Sequence, residues 1–231
     1  MKLIYEGKAK KIYDFEPGLV VMEFKDSLTA FNAQKKGSFQ GKGALNLKFS
    51  NQIFSLLSQK NIPHHFVRSL NESQIVVKKL KMLPVEVVVR NFVAGSLAAR
   101  LGIPEGQKVK NPIVEFYLKN DALSDPLLTE NQILALDILS LEQLNKCTEM
   151  ALKINQVLVS YFLSLGVKLI DFKVELGMDE SGQYYLADEI SPDSCRLWDQ
   201  TTHAKLDKDV FRRDLGSVEQ AYLEIAKRMG L

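Results

Sequence analysis

Apolar and polar positions alternate strictly along residues 167–177, and this period of two predicts a β-strand. One face carries Ile170, Phe172, Val174 and Leu176, and the other carries Leu169, Asp171, Lys173 and Glu175. A turn at residues 179–182 then leads to a second predicted strand, residues 184–190, with Asp188 on one face. Antiparallel pairing would bring Glu175 and Asp188 to opposite or diagonal positions, roughly 4.5–8 Å apart.

The rest of the chain predicts a mixed fold, with strands concentrated in the N-terminal part. Turn residues divide the further predicted strands, which cover residues 3–5, 11–15, 19–25, 66–70, 74–80, 85–89 and 112–119. Residues 26–43 are polar and contain several glycines, so we predict a long loop there. Residues 80–84 are interpreted as a hinge between two lobes, and residues 191–199 as a loop rich in reactive side chains.

Helical spacing of apolar residues and capping residues predict four main helices. They cover residues 44–60, 97–101, 141–165 and 218–229. Ser96 and Gly102 would begin and end the second helix. Residues 129–132 and 140–143 both have the spacing of a capping box, and the second of these opens the longest helix.

Composition limits the class of protein. The 231 residues are 46% hydrophobic and 25% charged, with a net charge of +2, which is ordinary for a globular protein and does not indicate a nucleic-acid partner. No apolar run approaches the roughly 20 residues of a membrane span. Cys147, Cys195 and the three histidines have no metal-ligand spacing. We therefore expect a cytoplasmic protein without a membrane or nucleic-acid partner.

The acidic residues of the predicted hairpin indicate a cation site. Mg²⁺ prefers one or two protein carboxylates and takes its other oxygens from water and phosphate, so Glu175 and Asp188 favour a magnesium–nucleotide site. The alternative is a hairpin with a solvated charged face. The segment Gly7-Lys8-Ala9-Lys10 lies between two predicted strands. A glycine-containing turn with lysines at such a place can cover the phosphates of a nucleotide. A solvated turn is the alternative there.

Three other segments carry candidate chemistry. Arg90 lies near Ser96 at a predicted helix start, a suitable place for an anion, although Arg90 in a surface salt bridge is the alternative. Lys119 ends a strand and could reach a phosphate. Leu80 and Met82 could contact a purine ring, although a plain connector is equally consistent with residues 80–84.

Five segments in order make the chain similar to the SAICAR synthetase (phosphoribosylaminoimidazole-succinocarboxamide synthase) family. The most specific are LPVEVVVRNFVAGS at 83–96 and LIDFKVELG at 169–177, supported by GKAK at residue 7, FYLKNDALSDP at residue 116 and DEISPDSCRLWD at residue 188. The resemblance covers essentially the whole chain. It implies a two-lobed α+β fold like that of ATP-grasp enzymes, with antiparallel sheets and ATP between the lobes. A β-rich ATP-binding lobe would span residues 1–81 and an α+β lobe residues 82–231.

The resemblance also implies the reaction. The family joins L-aspartate to the carboxylate of carboxyaminoimidazole ribonucleotide (CAIR), with ATP hydrolysed to ADP and phosphate, and the route it implies runs through an acyl phosphate. ATP and Mg²⁺ would be the cofactors, and the protein would be a homodimer. A small-molecule kinase that needs no aspartate, and a nucleotide-binding regulator without turnover, are the alternatives.

Individual roles follow from the resemblance, position by position. The ATP-binding residues would be Lys8, Ala9, Lys10, Leu80, Lys81, Met82 and Lys119. The catalytic residues would be Lys173, Glu175 and Asp188, of which the two acids would hold Mg²⁺. The residues for the ribonucleotide and aspartate would be Arg90, Ser96, Asp193, Arg196, Arg212, Thr29 and Asn32.

Overall fold

The computed structural model describes residues 1–30 and 34–231, which form three antiparallel sheets. The strands are β1 (Leu3–Glu6), β2 (Lys10–Asp14), β3 (Leu19–Phe24), β4 (Ser27–Ala30), β5 (Lys35–Ser38), β6 (Phe66–Ser69), β7 (Gln74–Lys78), β8 (Lys81–Phe92), β9 (Lys108–Leu118), β10 (Leu127–Leu128), β11 (Val167–Met178), β12 (Tyr184–Ala187) and β13 (Cys195–Asp199). The first sheet has the order β1-β2-β3-β7-β6, and the second has the order β10-β9-β8-β11-β12, with β13 also paired to β11. Strands β4 and β5 form a separate hairpin.

The α-helices cover the faces of these sheets. They are α1 (Lys42–Gln59), α2 (Ser96–Leu101), α3 (Glu130–Ala135), α4 (Leu141–Ser164), α5 (Asp209–Arg212) and α6 (Val218–Met229). Helix α4 packs on β8, β9 and β11, and α1 packs on β3. The predicted apolar stripe of α4 is confirmed, because Leu144, Ala151, Ile154 and Leu158 are buried in the main core. Both capping boxes are also present.

The two larger sheets are joined by main-chain hydrogen bonds at His65. Its carbonyl accepts from the Lys78 amide of the first sheet at 2.8 Å, and its amide donates to the Leu186 carbonyl of the second sheet at 2.8 Å. The antiparallel sheets and the helices packed on them confirm the predicted α+β fold. The chain passes from the first sheet to the second between Lys78 and Lys81. The assignment of separate domains to residues 1–81 and 82–231 stays a prediction.

Two predicted loops are wrong because they contain strands. Residues 26–43 include the β4–β5 hairpin, in which Leu28 and Ala30 are buried in alternation with half-buried Ser27 and Thr29. Residues 191–199 include β13, which pairs with β11 from Val167 to Phe172. The proposed hinge at 80–84 is also largely strand, since β8 begins at Lys81 and Leu83 is buried.

Three details of the predicted hairpin and helix start need correction. A bulge between Leu169 and Asp171 places Leu169 in the main core and Ile170 against Ala94 and Trp198, which reverses their predicted faces. Strand β12 ends at Ala187, because Asp188 has a positive φ of 63°. Ser96 is the first residue of α2 and does not cap it.

Candidate active site

Two cavities meet in the cleft between the sheets. The larger, of about 690 Å³, lies between the first sheet and the start of β8. The smaller, of about 430 Å³, lies over β8 and β11 beside α5. Five residues line both cavities and form their common wall: Lys8, Glu86, Asp121, Asp125 and Lys173. A group bound in one cavity can therefore reach a group bound in the other at this wall.

The larger cavity has an apolar end and a charged end. The apolar end is formed by Ile4, Ile12, Val20, Met22, Val77, Leu80 and Met82. Six of the seven predicted ATP-binding residues line this cavity: Lys8, Ala9, Lys10, Leu80, Met82 and Lys119. Lys81 does not line it and is exposed on β8 opposite Met178. An apolar slot beside lysines suits a ligand with a flat base and a phosphate chain.

The predicted metal ligands also lie in the larger cavity. Glu175 pairs across the sheet with Ala187, so Asp188 follows directly at the end of β12. Lys10 forms an ion pair with Asp188, and Lys119 forms one with Glu175. Burial disfavours the charge on Asp188, but Lys10 and Lys173 outweigh it and lower the pKa of this carboxyl. Two carboxylates in one cavity supply the oxygen donors that Mg²⁺ prefers.

These two carboxylates alone do not make a closed metal site. Across the described parts of the chain, no group of three or more His, Cys, Asp or Glu side chains is arranged to hold a metal ion. The residues present therefore fit an ion that takes most of its oxygens from water and phosphate, as Mg²⁺ does in nucleotide sites.

Lys173 occupies the wall between the cavities. Its ammonium donates to Glu86 at 2.5 Å and lies 3.6 Å from Glu175. Burial alone would lower the pKa of Lys173, but the charges of Glu86 and Glu175 raise it well above its usual value. Lys173 is therefore a fixed positive charge at the point where the two cavities meet.

Arg90 is held mainly by the protein itself. Only 3% of its side chain is exposed, and it donates to Glu115 at 2.7 Å and to Asp171 at 2.8 Å. The same guanidinium reaches the hydroxyls of Ser96 and Tyr117, both at 3.0 Å. Arg90 thus fixes the Ser96 hydroxyl at the edge of the smaller cavity, and its burial excludes the alternative of a surface salt bridge.

Arg196 is clamped against a glycine. Its guanidinium donates to Asp171 at 2.9 Å and to Asp209 at 2.9 Å, while Nη2 lies against Gly95. A Cβ at Gly95 would lie 2.5 Å from Nη2, so only glycine fits there. Among the residues that the structure describes, Nη2 has no hydrogen-bond acceptor and can donate to a ligand.

Of the other predicted substrate residues, three line the smaller cavity: Thr29, Asp193 and Arg212. Lys42, Asn46 and Tyr222 all engage the Asp193 carboxylate, so this residue ties its loop to α1 and α6. Arg212 donates to Asp209 at 2.6 Å. Asn32 lies outside the described residues.

Several residues of the site were missed from the sequence. Glu86, Asp125 and Lys208 line the cavities, and Asp171 joins the two arginines. Glu86 could have been recognised from the sequence, because it is the only charged residue within the apolar run 85–89 of β8. The ion pairs of Asp171 could not be predicted from the sequence, because its two arginine partners lie on other strands, β8 and β13.

The fold and the site define a class of mixed α/β proteins whose cleft joins an apolar, lysine-lined cavity to an arginine-rich one. The SAICAR synthetase family model matches residues 3–229. A phosphoribosylaminoimidazole-succinocarboxamide synthase from Bacillus cereus is 53% identical over 231 residues, which cover 100% of this chain and 97% of that protein.

Solved structures agree. The phosphoribosylaminoimidazole-succinocarboxamide synthase from Ehrlichia chaffeensis superposes with a TM-score of 0.96 at 45% identity, covering 99% of this chain and 98% of that one. A SAICAR synthetase in complex with ADP superposes with a TM-score of 0.94 at 49% identity, covering 97% and 96%. The chain belongs to the SAICAR synthetase family.

Proposed function

We propose that this protein is an ATP-dependent ligase that joins L-aspartate to the carboxylate of CAIR, giving SAICAR, ADP and phosphate in purine biosynthesis. The observation that carries the proposal is the pair of cavities that meet at Lys173. A carboxylate is a poor electrophile and has to be activated by ATP, so this reaction needs a nucleotide site that opens onto an acceptor site. Family membership, and a relative whose solved structure holds ADP, support the same assignment.

ATP is assigned to the larger cavity, between the two sheets. Its adenine would lie against Leu80 and Met82, and the phosphates would lie under Lys8, Ala9 and Lys10 with Lys119 beside them. Glu175 and Asp188 would hold Mg²⁺, which neutralises phosphate charge when bound. Their present lysine partners would then be released toward the phosphate oxygens. Lys81 does not line this cavity and contributes no side-chain contact.

The ribonucleotide and L-aspartate are assigned to the smaller cavity. Ser96 and the open Nη2 of Arg196 would bind the anionic groups of CAIR, with Arg90 fixing Ser96. Arg212 and Thr29 would face L-aspartate. Asp193 supports this surface by holding its loop in place, because its oxygens already have three partners.

The reaction proceeds in two balanced steps. A carboxylate oxygen of CAIR attacks the γ-phosphorus of ATP, the bond from that phosphorus to the β-phosphate oxygen breaks, and ADP leaves. The aspartate amine then attacks the acyl carbon, phosphate leaves with one former carboxylate oxygen, and the amine gives up a proton. Lys173 is positioned to stabilise charge on the transferring group, and catalysis of such transfers depends mainly on positioning and charge.

The test is ADP release from ATP, Mg²⁺ and CAIR, measured with and without L-aspartate. The proposal predicts sustained ADP release only with aspartate, together with a succinocarboxamide product. Equal release without aspartate would instead indicate a kinase. Nucleotide binding without any ADP release would indicate a regulator.

The oligomeric state is proposed from the family, and the location from the composition of the chain. We propose a homodimer in the cytoplasm, which light scattering and cell fractionation would test. No helix within residues 1–30 or 34–231 is long and apolar enough to cross a membrane.

A further inference from the structure

Glu105 lies outside both cavities but touches the surface that shapes the smaller one. It sits in the connection between α2 and β9. Its Oε1 accepts a hydrogen bond from the Gly95 amide at 2.8 Å. Gly95 has φ 55° and ψ −129°, a conformation that essentially only glycine adopts, and Ser96 follows it directly. Glu105 therefore holds a corner that requires glycine, and the next residue carries a proposed substrate-binding hydroxyl.

Glu105 is itself held firmly. Arg213 donates to both of its carboxylate oxygens, at 2.8 and 2.5 Å, and Lys205 lies 3.6 Å away. The hydrogen bond from Arg213 is the main reason that the pKa of Glu105 is lowered to about 2. The carboxylate consequently stays charged at any pH at which the protein would work, and a bidentate arginine pair restricts its orientation.

These contacts close a ring around Arg196. Arg213 also lies 3.5 Å from Asp209, and Asp209 accepts from Arg196 at 2.9 Å. Arg196 in turn rests on Gly95, which Glu105 holds. A shift of the Gly95 corner would thus move two proposed contacts at once, the Ser96 hydroxyl and the free Nη2 of Arg196.

We propose that Glu105 is a positioning residue for the ribonucleotide substrate, acting through Gly95 on Ser96 and Arg196. This inference rests on the proposed function, because it takes Ser96 and Arg196 to bind the anionic groups of that substrate. Neither Glu105 nor its partners Gly95 and Arg213 line the larger cavity, so its effect is confined to the smaller cavity and leaves the ATP site unchanged.

The test compares E105A and E105Q with the wild-type protein. E105A removes the acceptor for the Gly95 amide, whereas E105Q keeps an acceptor and loses the charge that holds Arg213. We expect the KM for CAIR to rise about tenfold in E105A, the size of one lost charge-assisted hydrogen bond, and less in E105Q. The KM for ATP and kcat should stay within about twofold of the wild-type values.

Glu224 provides the matched control. It also forms an arginine ion pair, with Arg228 at 2.7 Å, but it lies on α6 and lines neither cavity. E224A should leave the KM for CAIR unchanged. An unchanged KM for CAIR in E105A would overturn the inference. A fall in kcat and a rise in both KM values, together with a lower melting temperature, would also overturn it, because Glu105 would then have only a structural role.

Calorimetric binding of CAIR without ATP separates this inference from the proposed function. Wild-type protein that binds CAIR but makes no SAICAR would refute the proposed ligase. The ratio of the E105A and wild-type dissociation constants would still decide the role of Glu105, with about tenfold weaker binding in its favour and equal binding against it. Wild-type protein that does not bind CAIR would refute both.

Discussion

Replacing Arg90 with methionine should destabilise the protein markedly as well as weaken CAIR binding. Methionine fills similar space but removes the hydrogen bonds to Glu115, Asp171, Ser96 and Tyr117. Both carboxylates are buried, and removing one partner of a buried ion pair costs about 3–5 kcal/mol.

The remaining partners set the expected magnitude for R90M. Glu115 keeps Arg100, and Asp171 keeps Arg196, so neither carboxylate is left without a cation. We therefore expect a loss near the lower limit, about 3 kcal/mol in the free energy of unfolding. For a chain of this length, that corresponds to a fall of about 6–12 °C in melting temperature.

The assay is thermal and urea unfolding of R90M beside the control R212M. Arg212 is 28% exposed, and within residues 1–30 and 34–231 its one close ion pair is with Asp209. Asp209 keeps Arg196 and Arg213 as partners, so the loss of Arg212 should cost no more than about 1 kcal/mol. A melting temperature of R90M within about 2 °C of the wild-type value would refute the buried network described for Arg90.

Three further predictions test other parts of the site. K173M should lower kcat at least about a hundredfold while nucleotide binding persists, because it removes the charge between the cavities, and rapid-quench kinetics with a nucleotide titration would show this. In G177A, a Cβ would lie 2.8 Å from Cβ of Leu80, so the KM for ATP should rise more than the KM for CAIR. Burial, followed by the charge of Asp209, raises the pKa of Asp207 from 3.8 to about 7, so its native carboxyl holds a proton that the unfolded chain releases. The contribution of Asp207 to stability is thus present below about pH 4 and lost toward pH 7. Urea unfolding should therefore show that the free energy of unfolding of D207N rises relative to that of the wild-type protein as the pH increases across this range.

The sequence was sufficient where one strand or helix determines the outcome. The alternation along β11 correctly placed Lys173 and Glu175 on one face, because every second residue of a strand points the same way. It misplaced Leu169 and Ile170, since a bulge shifts the register and leaves no local signature in the side chains. The β4–β5 hairpin was missed because its strands are four residues long and mostly polar.

The sequence was insufficient where distant segments meet. The resemblance brought Arg90, Ser96 and Arg196 to one cavity, but the ring through Glu105, Arg213 and Asp209 depends on contacts between the α2–β9 connection, the end of α5 and β13. Neither charge pattern nor spacing indicates which of the many surface acids and bases form such contacts. The buried state of Arg90 likewise follows only from its tertiary neighbours.

In the proposed reaction, a phosphoryl group passes from a nucleotide in the larger cavity to a carboxylate in the smaller one. The most direct test supplies CAIR labelled with ¹⁸O in both carboxylate oxygens, together with ATP, Mg²⁺ and L-aspartate, and measures the released phosphate by mass spectrometry. Transfer to the carboxylate predicts one ¹⁸O atom in each phosphate and one left in the new amide. Unlabelled phosphate formed alongside SAICAR would contradict transfer to the carboxylate.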